Sequence, residues 1–419
     1  MKLELFTARG PVGEQVNYFL KWGLISTIVG VLGGVIGGIF GHGIQMAAAS
    51  FQRFGWLLYL LPLSGVAIVW LYQTFHQEKN RGTNMVFEVV SSDGKLALCT
   101  GPLIFVSTIL THLTGGSAGR EGAALQIGGS MGILVGKLLK LDERDTKVAV
   151  MCGMSGYFGA LFGTPLAAAL FSLEVISVGV MYYAALVPCL FASFIGAGMA
   201  GLMGLSGEHF EILEIPAFEP KSALVIIFLG ALCAAISVLF CLMLHGSEHL
   251  YKKRFQNPYV RILAASAILI GLTLLVGNRD FNGSSMGLIE EAMEGHVRYE
   301  AFILKMVFTA VTLGAGYKGG EIVPTLCVGA TFGCIIGTFL GFSPSLCAAC
   351  GMAALFVGVT NSPVTSMLLA FEMFGFEGMP YFVMAIAVSF ALSGYYGLYG
   401  SQKFVYSKMR TEFINRRAH

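Results

Sequence analysis

Residues 119–136 recur as residues 320–337 at a constant shift of 201 (320 − 119). Under that shift Gly119, Leu125, Gly128, Gly132 and Gly136 fall on Gly320, Leu326, Gly329, Gly333 and Gly337, while Ile127, Ser130 and Val135 fall on Val328, Thr331 and Ile336. It also carries Gly82-Thr83-Asn84-Met85 onto Gly283-Ser284-Ser285-Met286. A shift of 198 (350 − 152) carries Cys152-Gly153-Met154 onto Cys350-Gly351-Met352, with Phe158, Pro165 and Glu174 meeting Phe356, Pro363 and Glu372. Three windows in one order at nearly one offset mark a duplicated unit, so the fold must be one that is built twice and packed against itself. The expected division is a first repeat over residues 1–205, a connector over 206–222, and a second repeat with a tail over 223–419.

The duplicated unit is apolar. Hydrophobic residues make up 55% of the chain and charged ones only 12%, with 55 glycines, which describes an all-α, polytopic membrane protein. Apolar runs follow one another from residues 24–40 to 184–203, pause, and resume from 223–244 to 381–396. Many are shorter than the roughly 20 residues a full span needs, so helices broken partway through the bilayer are expected. In transporters built from repeats, such helix ends meet near the midplane and form the binding site. Order alone leaves open whether the halves are inverted. It nominates three loops, at residues 82–86, 119–123 and 320–324.

Several function classes fall away. The net charge of +2 has no basic patch interleaved with aromatics, so no nucleic-acid partner is expected. The nine cysteines lie mostly in apolar runs without ligand spacing, so neither a metal nor another cofactor is expected. Gly115-Gly116-Ser117-Ala118-Gly119 fits a nucleophile elbow and Gly153-Met154-Ser155-Gly156 a membrane-protease serine loop. A serine nucleophile needs a base, and none of the eight histidines is convincingly placed with a serine, so an enzyme is not expected. Residues 1–13 read as a short interfacial segment and not as a cleavable signal. The tail carries Lys403, Lys408, Arg410, Arg416 and Arg417, which places it in the cytoplasm of a cell whose inner (plasma) membrane the chain crosses many times, with no soluble regulatory domain expected after it.

Residues 115–132 hold a charged pair, Arg120 and Glu121, between two apolar runs. A carboxylate at membrane depth needs a functional or a pairing explanation. Glycines precede Glu121 and an apolar helix follows it, so it falls at a helix N-terminus, where free N–H groups and the dipole favour an anion. Its carboxylate is one such anion, and a diffusible anion takes its place when it swings away. The plain alternative is a structural pair with Arg120.

Gly119-Arg120-Glu121-Gly122-Ala123 is similar to the Gly-Lys/Arg-Glu-Gly-Pro loop of the CLC family of chloride channels and anion/proton antiporters. Gly320-Glu321-Ile322-Val323-Pro324 resembles that family's Gly-x-Phe-x-Pro loop. The resemblance implies a homodimer with one pore per subunit, two inverted halves, and halides and protons as partners in the lipid bilayer. It implies that Glu121 is the gating and proton-coupling glutamate. The anion-binding set it implies is Gly82, Thr83, Asn84, Met85, Gly119, Arg120, Gly122, Glu321, Ile322 and Val323, with the pathway tyrosine either Tyr399 or Tyr406.

Departures from the pattern narrow the reading. Chloride-handling members carry Gly-Ser-Gly-Ile-Pro in the first loop, where this chain has Gly82-Thr83-Asn84-Met85-Val86; the phenylalanine of the third is Ile322, beside an unusual acid, Glu321. Such changes resemble the fluoride/proton antiporter branch. Fluoride is small and strongly hydrated, so dense donors suit it, and Thr83, Asn84 and a tyrosine supply them. Val175 stands where many antiporters of the family carry an internal glutamate, leaving either a channel or a cycle in which Glu121 carries the proton. Neighbouring Glu174 is the possible substitute on the proton path, although its repeat partner Glu372 argues that both are structural. The expected function is a fluoride/proton antiporter, with a chloride/proton antiporter or chloride channel as the alternative.

Overall fold

The computed structural model describes residues 11–92 and 94–419. Of the expected interfacial segment, residues 1–10 lie outside the described residues and 11–13 open the first helix. Helices come in two successions of eight. The first is α1 (Pro11–Arg53), α2 (Leu61–Thr74), α3 (Thr83–Ser91), α4 (Thr100–Leu113), α5 (Glu121–Leu138), α6 (Glu143–Phe162), α7 (Pro165–Glu174) and α8 (Leu186–Leu202). The second is α9 (Pro220–Arg254), α10 (Pro258–Val276), α11 (Met286–Met293), α12 (Ala301–Ala315), α13 (Ile322–Leu340), α14 (Pro344–Thr360), α15 (Pro363–Phe374) and α16 (Met379–Leu392). The starts of α12, α13 and α14 lie 201 residues after those of α4, α5 and α6 (301 − 100, 322 − 121, 344 − 143). Among the described residues six helical segments are long and apolar enough to cross a membrane, and α4, α7, α12, α14, α15 and α16 are apolar but shorter.

The duplicated glycines are explained by helix crossing. A Cβ on Gly128 would sit 2.2 Å from the Gly153 carbonyl oxygen, and one on Gly153 2.0 Å from that of Gly128. The second repeat does the same, with Gly329 and Gly351 at 2.5 and 2.2 Å. Without side chains at these points α5 lies directly on α6, and α13 on α14, which is how membrane helices pack when no hydrophobic force drives them together.

Contacts between the halves are reciprocal, as a two-fold relation requires. Gly119 and Gly320 pair as an isolated antiparallel bridge, each N–H donating to the other's carbonyl at 2.7 Å. Antiparallel pairing of equivalent loops is the local mark of inverted repeats. The carboxylate of Glu174 accepts from the N–H groups of Val364 (3.1 Å) and Thr365 (2.8 Å) and from the Thr365 hydroxyl (2.7 Å). Glu372 returns the arrangement on Leu166 (2.9 Å) and Ala167 (2.8 Å). Each acid thus caps the helix of the other repeat just behind its N1 proline, Pro363 or Pro165, satisfying free N–H groups with the charge that the dipole favours. Glu174→Ala is expected to cost about 2 kcal/mol, the scale of hydrogen bonds to a charged group with buried donors left open. It should lower the melting temperature in detergent while leaving proton coupling in the surviving protein intact.

A small sheet adds to the all-helical expectation. β1 (Ser177–Val178), just after α7, pairs in parallel with β2 (Lys403–Tyr406), which pairs antiparallel with β3 (Phe413–Arg417). The basic tail is therefore folded back on the membrane domain. Alternation explains it, since Phe404 is fully buried while Tyr406 points outward, the period of a strand with one covered face.

Candidate functional site

The site grows from the paired glycines. The bridge between Gly119 and Gly320 brings the first turns of α5 and α13 together, and both glycines are needed for it. A Cβ on Gly119 would lie 2.2 Å from Glu121 Oε2, and one on Gly320 2.6 Å from the Gly122 nitrogen. Glu121, the first residue of α5, is 0% exposed. Its Oε2 accepts from the N–H of Val323 at 3.2 Å, in the first turn of α13, and Oε1 has no hydrogen-bond partner. The acid of one repeat thus occupies the anion-favouring helix end of the other.

Around this pair lie most of the residues that the motifs nominate. Ile322 and Val323 are buried in the first turn of α13. Glu321 stands just before them; its Oε2 is buried and unpartnered, and a Cβ on Gly122 would lie 3.3 Å from it. Thr83 opens α3 behind Gly82, whose φ of 63° is a left-handed backbone that favours glycine, and donates its hydroxyl to the Gly122 carbonyl at 3.3 Å. Asn84 reaches elsewhere, its Oδ1 accepting from the backbone N–H and hydroxyl of Ser401 at 2.9 and 2.8 Å. It anchors the loop that carries Tyr399.

The structure separates the two tyrosines. Tyr399 is 2% exposed, its hydroxyl is unpartnered, its ring meets Phe87 of α3 edge-on at 5.0 Å, and it interacts electrostatically with Glu321 and Glu121. Tyr406 is 50% exposed on β2 and packs against Phe413, away from the site, because strand alternation turns it outward. The Arg120 side chain forms its ion pair away from Glu121. Its guanidinium binds the Leu161 carbonyl at 3.2 Å and pairs with Glu208, so its ion pair is with Glu208 and not with Glu121.

Two openings are lined in part by residues that the motifs nominate. One, of about 410 Å³, is lined by Arg120, Glu208, His112, Ser285 and Val323 among others. The other, of about 750 Å³, is lined by Met85, Ile133, Lys95, Lys137 and Lys147 among others. Gln126, which no motif singles out, lies one turn beyond Gly122, donates to its carbonyl at 3.0 Å and keeps an unpartnered Oε1. Its signal was a lone amide in an apolar helix. Val175 is buried with its carbonyl bound by Gln402, and Glu174 is the helix cap described above.

Broken helices from two inverted repeats, converging on a buried carboxylate, define an ion-transporting membrane protein. The chain belongs to the voltage gated chloride channel family, CLC, whose model matches residues 64–394. It is 29% identical over 402 residues to a chloride/fluoride channel protein of Pseudomonas syringae pv. tomato, covering 94% of this chain and 89% of that one. H(+)/Cl(-) exchange transporter ClcA of Vibrio campbellii is 28% identical over 274 residues, 61% of this chain and 58% of the other. Among solved structures, a CLC-type fluoride/proton antiporter superposes with a TM-score of 0.88 at 29% identity, covering 94% of this chain and 99% of that one. A slow cyanobacterial Cl-/H+ antiporter, at 18% identity and a TM-score of 0.74 over 89% and 94% of the two chains, shares the fold.

Proposed function

We propose that the protein exports fluoride in exchange for protons, as a homodimer in a bacterial inner membrane with its C-terminus in the cytoplasm. The observation that carries the reading is the hydrogen bond from the Val323 N–H to Glu121 Oε2, a carboxylate held where a dehydrated halide would bind. Protonated, Glu121 leaves that helix end and carries its proton with it; fluoride takes the vacated place. Inward proton flow then drives anion removal through one alternating group. Glu321, beside Gly122 and in electrostatic reach of Glu121, is the second acid of the proton path, in the role for which Val175 offers no carboxylate.

Fluoride is favoured over chloride by the density of small polar groups. Glu121 Oε1, Glu321 Oε2 and the Tyr399 hydroxyl are all buried and unpartnered among the described residues. A protonated acid and a phenol are strong donors that replace the water around a small, strongly hydrated anion. Support also comes from the named fluoride relatives in sequence and structure. The chloride/proton alternative rests on the exchange transporters at similar identity over a shorter stretch. Assembly as a homodimer rests on the family resemblance, and the cytoplasmic side on the lysines of the wider opening and on the basic tail.

Purified protein in liposomes decides the matter. With fluoride or chloride inside, anion efflux is read by electrode and proton uptake in the same vessel. Fluoride efflux with matched proton uptake, at least about tenfold faster than chloride, is the expected result, corresponding to roughly 1.4 kcal/mol of discrimination. Equal halide rates would reject the fluoride assignment, and efflux without proton uptake would reject exchange.

A further inference from the structure

Lys305 lies in the second turn of α12 and is 0% exposed. Its ammonium donates to the Gly283 carbonyl (2.8 Å), to Ser285 Oγ (2.8 Å) and to Ser117 Oγ (3.0 Å), with the Phe281 carbonyl at 3.4 Å. All these partners are uncharged. A cation sealed in a membrane domain among neutral oxygens keeps its charge uncompensated locally, which is costly unless an anion nearby balances it.

Two of the partners bear on the site. Ser117 lies four residues before Glu121 (121 − 117), on the loop that delivers that acid to the cradle. Gly283 and Ser285 are the repeat counterparts of Gly82 and Asn84, since 283 − 201 = 82 and 285 − 201 = 84. The two loops are joined by backbone bonds as well, from the Ala118 N–H to the Gly283 carbonyl (3.2 Å) and from the Gly283 N–H to that of Gly116 (3.1 Å). The same shift sets Lys305 opposite Ile104 (305 − 201), a buried aliphatic residue, so the first repeat has no such cation. One repeat leaves its loop beside the anion path; the other pins its loop with a charge.

We propose that Lys305 is the fixed positive charge of the pathway, a positioning residue that sets the potential at the cradle and so holds first the Glu121 carboxylate and then the halide that replaces it. It does not touch either anion, because its protons are taken by Ser117, Gly283 and Ser285. It acts through the field. The ionisable groups facing it are Glu121 of α5, Cys327 of α13 and His112 of α4. Beside Glu121 stand Arg120, already paired with Glu208, and Glu321, an acid that adds to the need for a cation. In the low-dielectric interior a fixed charge that interacts with the site changes the affinity for a unit anion by about tenfold or more.

The inference rests on the halide-transport reading above but not on which halide is carried. Its test is a series in proteoliposomes, with initial fluoride efflux measured over a range of fluoride concentrations and external pH. Lys305→Met is expected to raise the KM for fluoride at least about tenfold, with the maximal rate changed less than about threefold, and to move the pH of half-maximal rate upward by about one unit. The sign follows from charge, since a carboxylate that loses a neighbouring cation takes up its proton at higher pH. Lys305→Arg should restore both values. Ser117→Ala, which loosens the pin but keeps the charge, should lower the melting temperature without moving KM. Wild-type KM in Lys305→Met, or an equal rise in KM in Ser117→Ala, would overturn the proposal. Should Lys305→Met not fold, Lys305→Arg still decides, a near-native KM supporting the charge role and a tenfold rise rejecting it. A wild-type protein that moves chloride and not fluoride would defeat the fluoride reading, while the same series run in chloride would still judge Lys305.

Discussion

Glu121→Gln will abolish proton uptake coupled to fluoride efflux. Glutamine matches glutamate in size, and its amide oxygen retains the bond from the Val323 N–H at 3.2 Å, so the first turns of α5 and α13 stay in register. What disappears is the proton-binding function. A group that cannot gain or lose a proton cannot alternate between occupying the anion site and carrying charge across. The expected fall in proton flux is at least about 100-fold, the lower range of what a positioned acid or base contributes. Stability should not fall, because the substitution removes a fully buried carboxylate with one unpartnered oxygen. Simultaneous fluoride and pH electrodes on the same liposomes check it, with detergent melting curves as the control. Proton uptake within a few-fold of wild type would remove Glu121 from the coupling cycle.

Gly320→Ala will pull the cradle apart and abolish transport. A Cβ there would lie 2.6 Å from the Gly122 nitrogen, 2.7 Å from that of Glu121 and 2.8 Å from Glu121 Oε2. Two of these neighbours are backbone and cannot rotate aside, so the loops must part and the bridge to Gly119 must lengthen from 2.7 Å. Separation carries the α13 N–H groups away from the acid and from any anion that replaces it. A displacement of about 1 Å in a positioned site costs on the order of 100-fold in rate, and overpacking costs about 1–3 kcal/mol in stability. Gly201→Ala, on α8 with no atom within 4 Å of the added methyl, is the matched control and should transport normally. Equal transport by the two variants would show that close approach of the loops is not required.

Much of this was readable because membrane folding leaves a heavy imprint on sequence. Duplicated glycines at residues 128 and 329, and at 153 and 351, record crossings where a single methyl would collide with backbone, so their spacing is fixed by geometry common to both repeats. Lone acids in apolar runs likewise announce themselves: Glu121 entered a helix-end site, and Glu174 and Glu372 became caps. Side-chain direction was not readable. Arg120 and Glu121 are neighbours in sequence, yet one turns to Glu208 and the other to Val323. Tyr399 and Tyr406 were equal candidates until the loop fixed by Asn84 and Ser401 buried one and strand alternation exposed the other. Lys305 carried the usual signal of a charge in an apolar helix, but its meaning depends on Ser117 and Ser285, 188 and 20 residues away in the chain.

The sequence by itself determined the class of the fold, the existence of two repeats and the loops where a site would form, because burial in lipid and close helix crossing restrict which residues are tolerated and do so locally. Tertiary structure alone decided which atoms face one another across the repeats: the bond from Val323 to Glu121, the exchange of caps between α7 and α15, and the bond from Lys305 to Ser117. Those contacts join residues roughly 200 positions apart, and their partners are chosen by how two inverted halves dock, a relation no local pattern encodes.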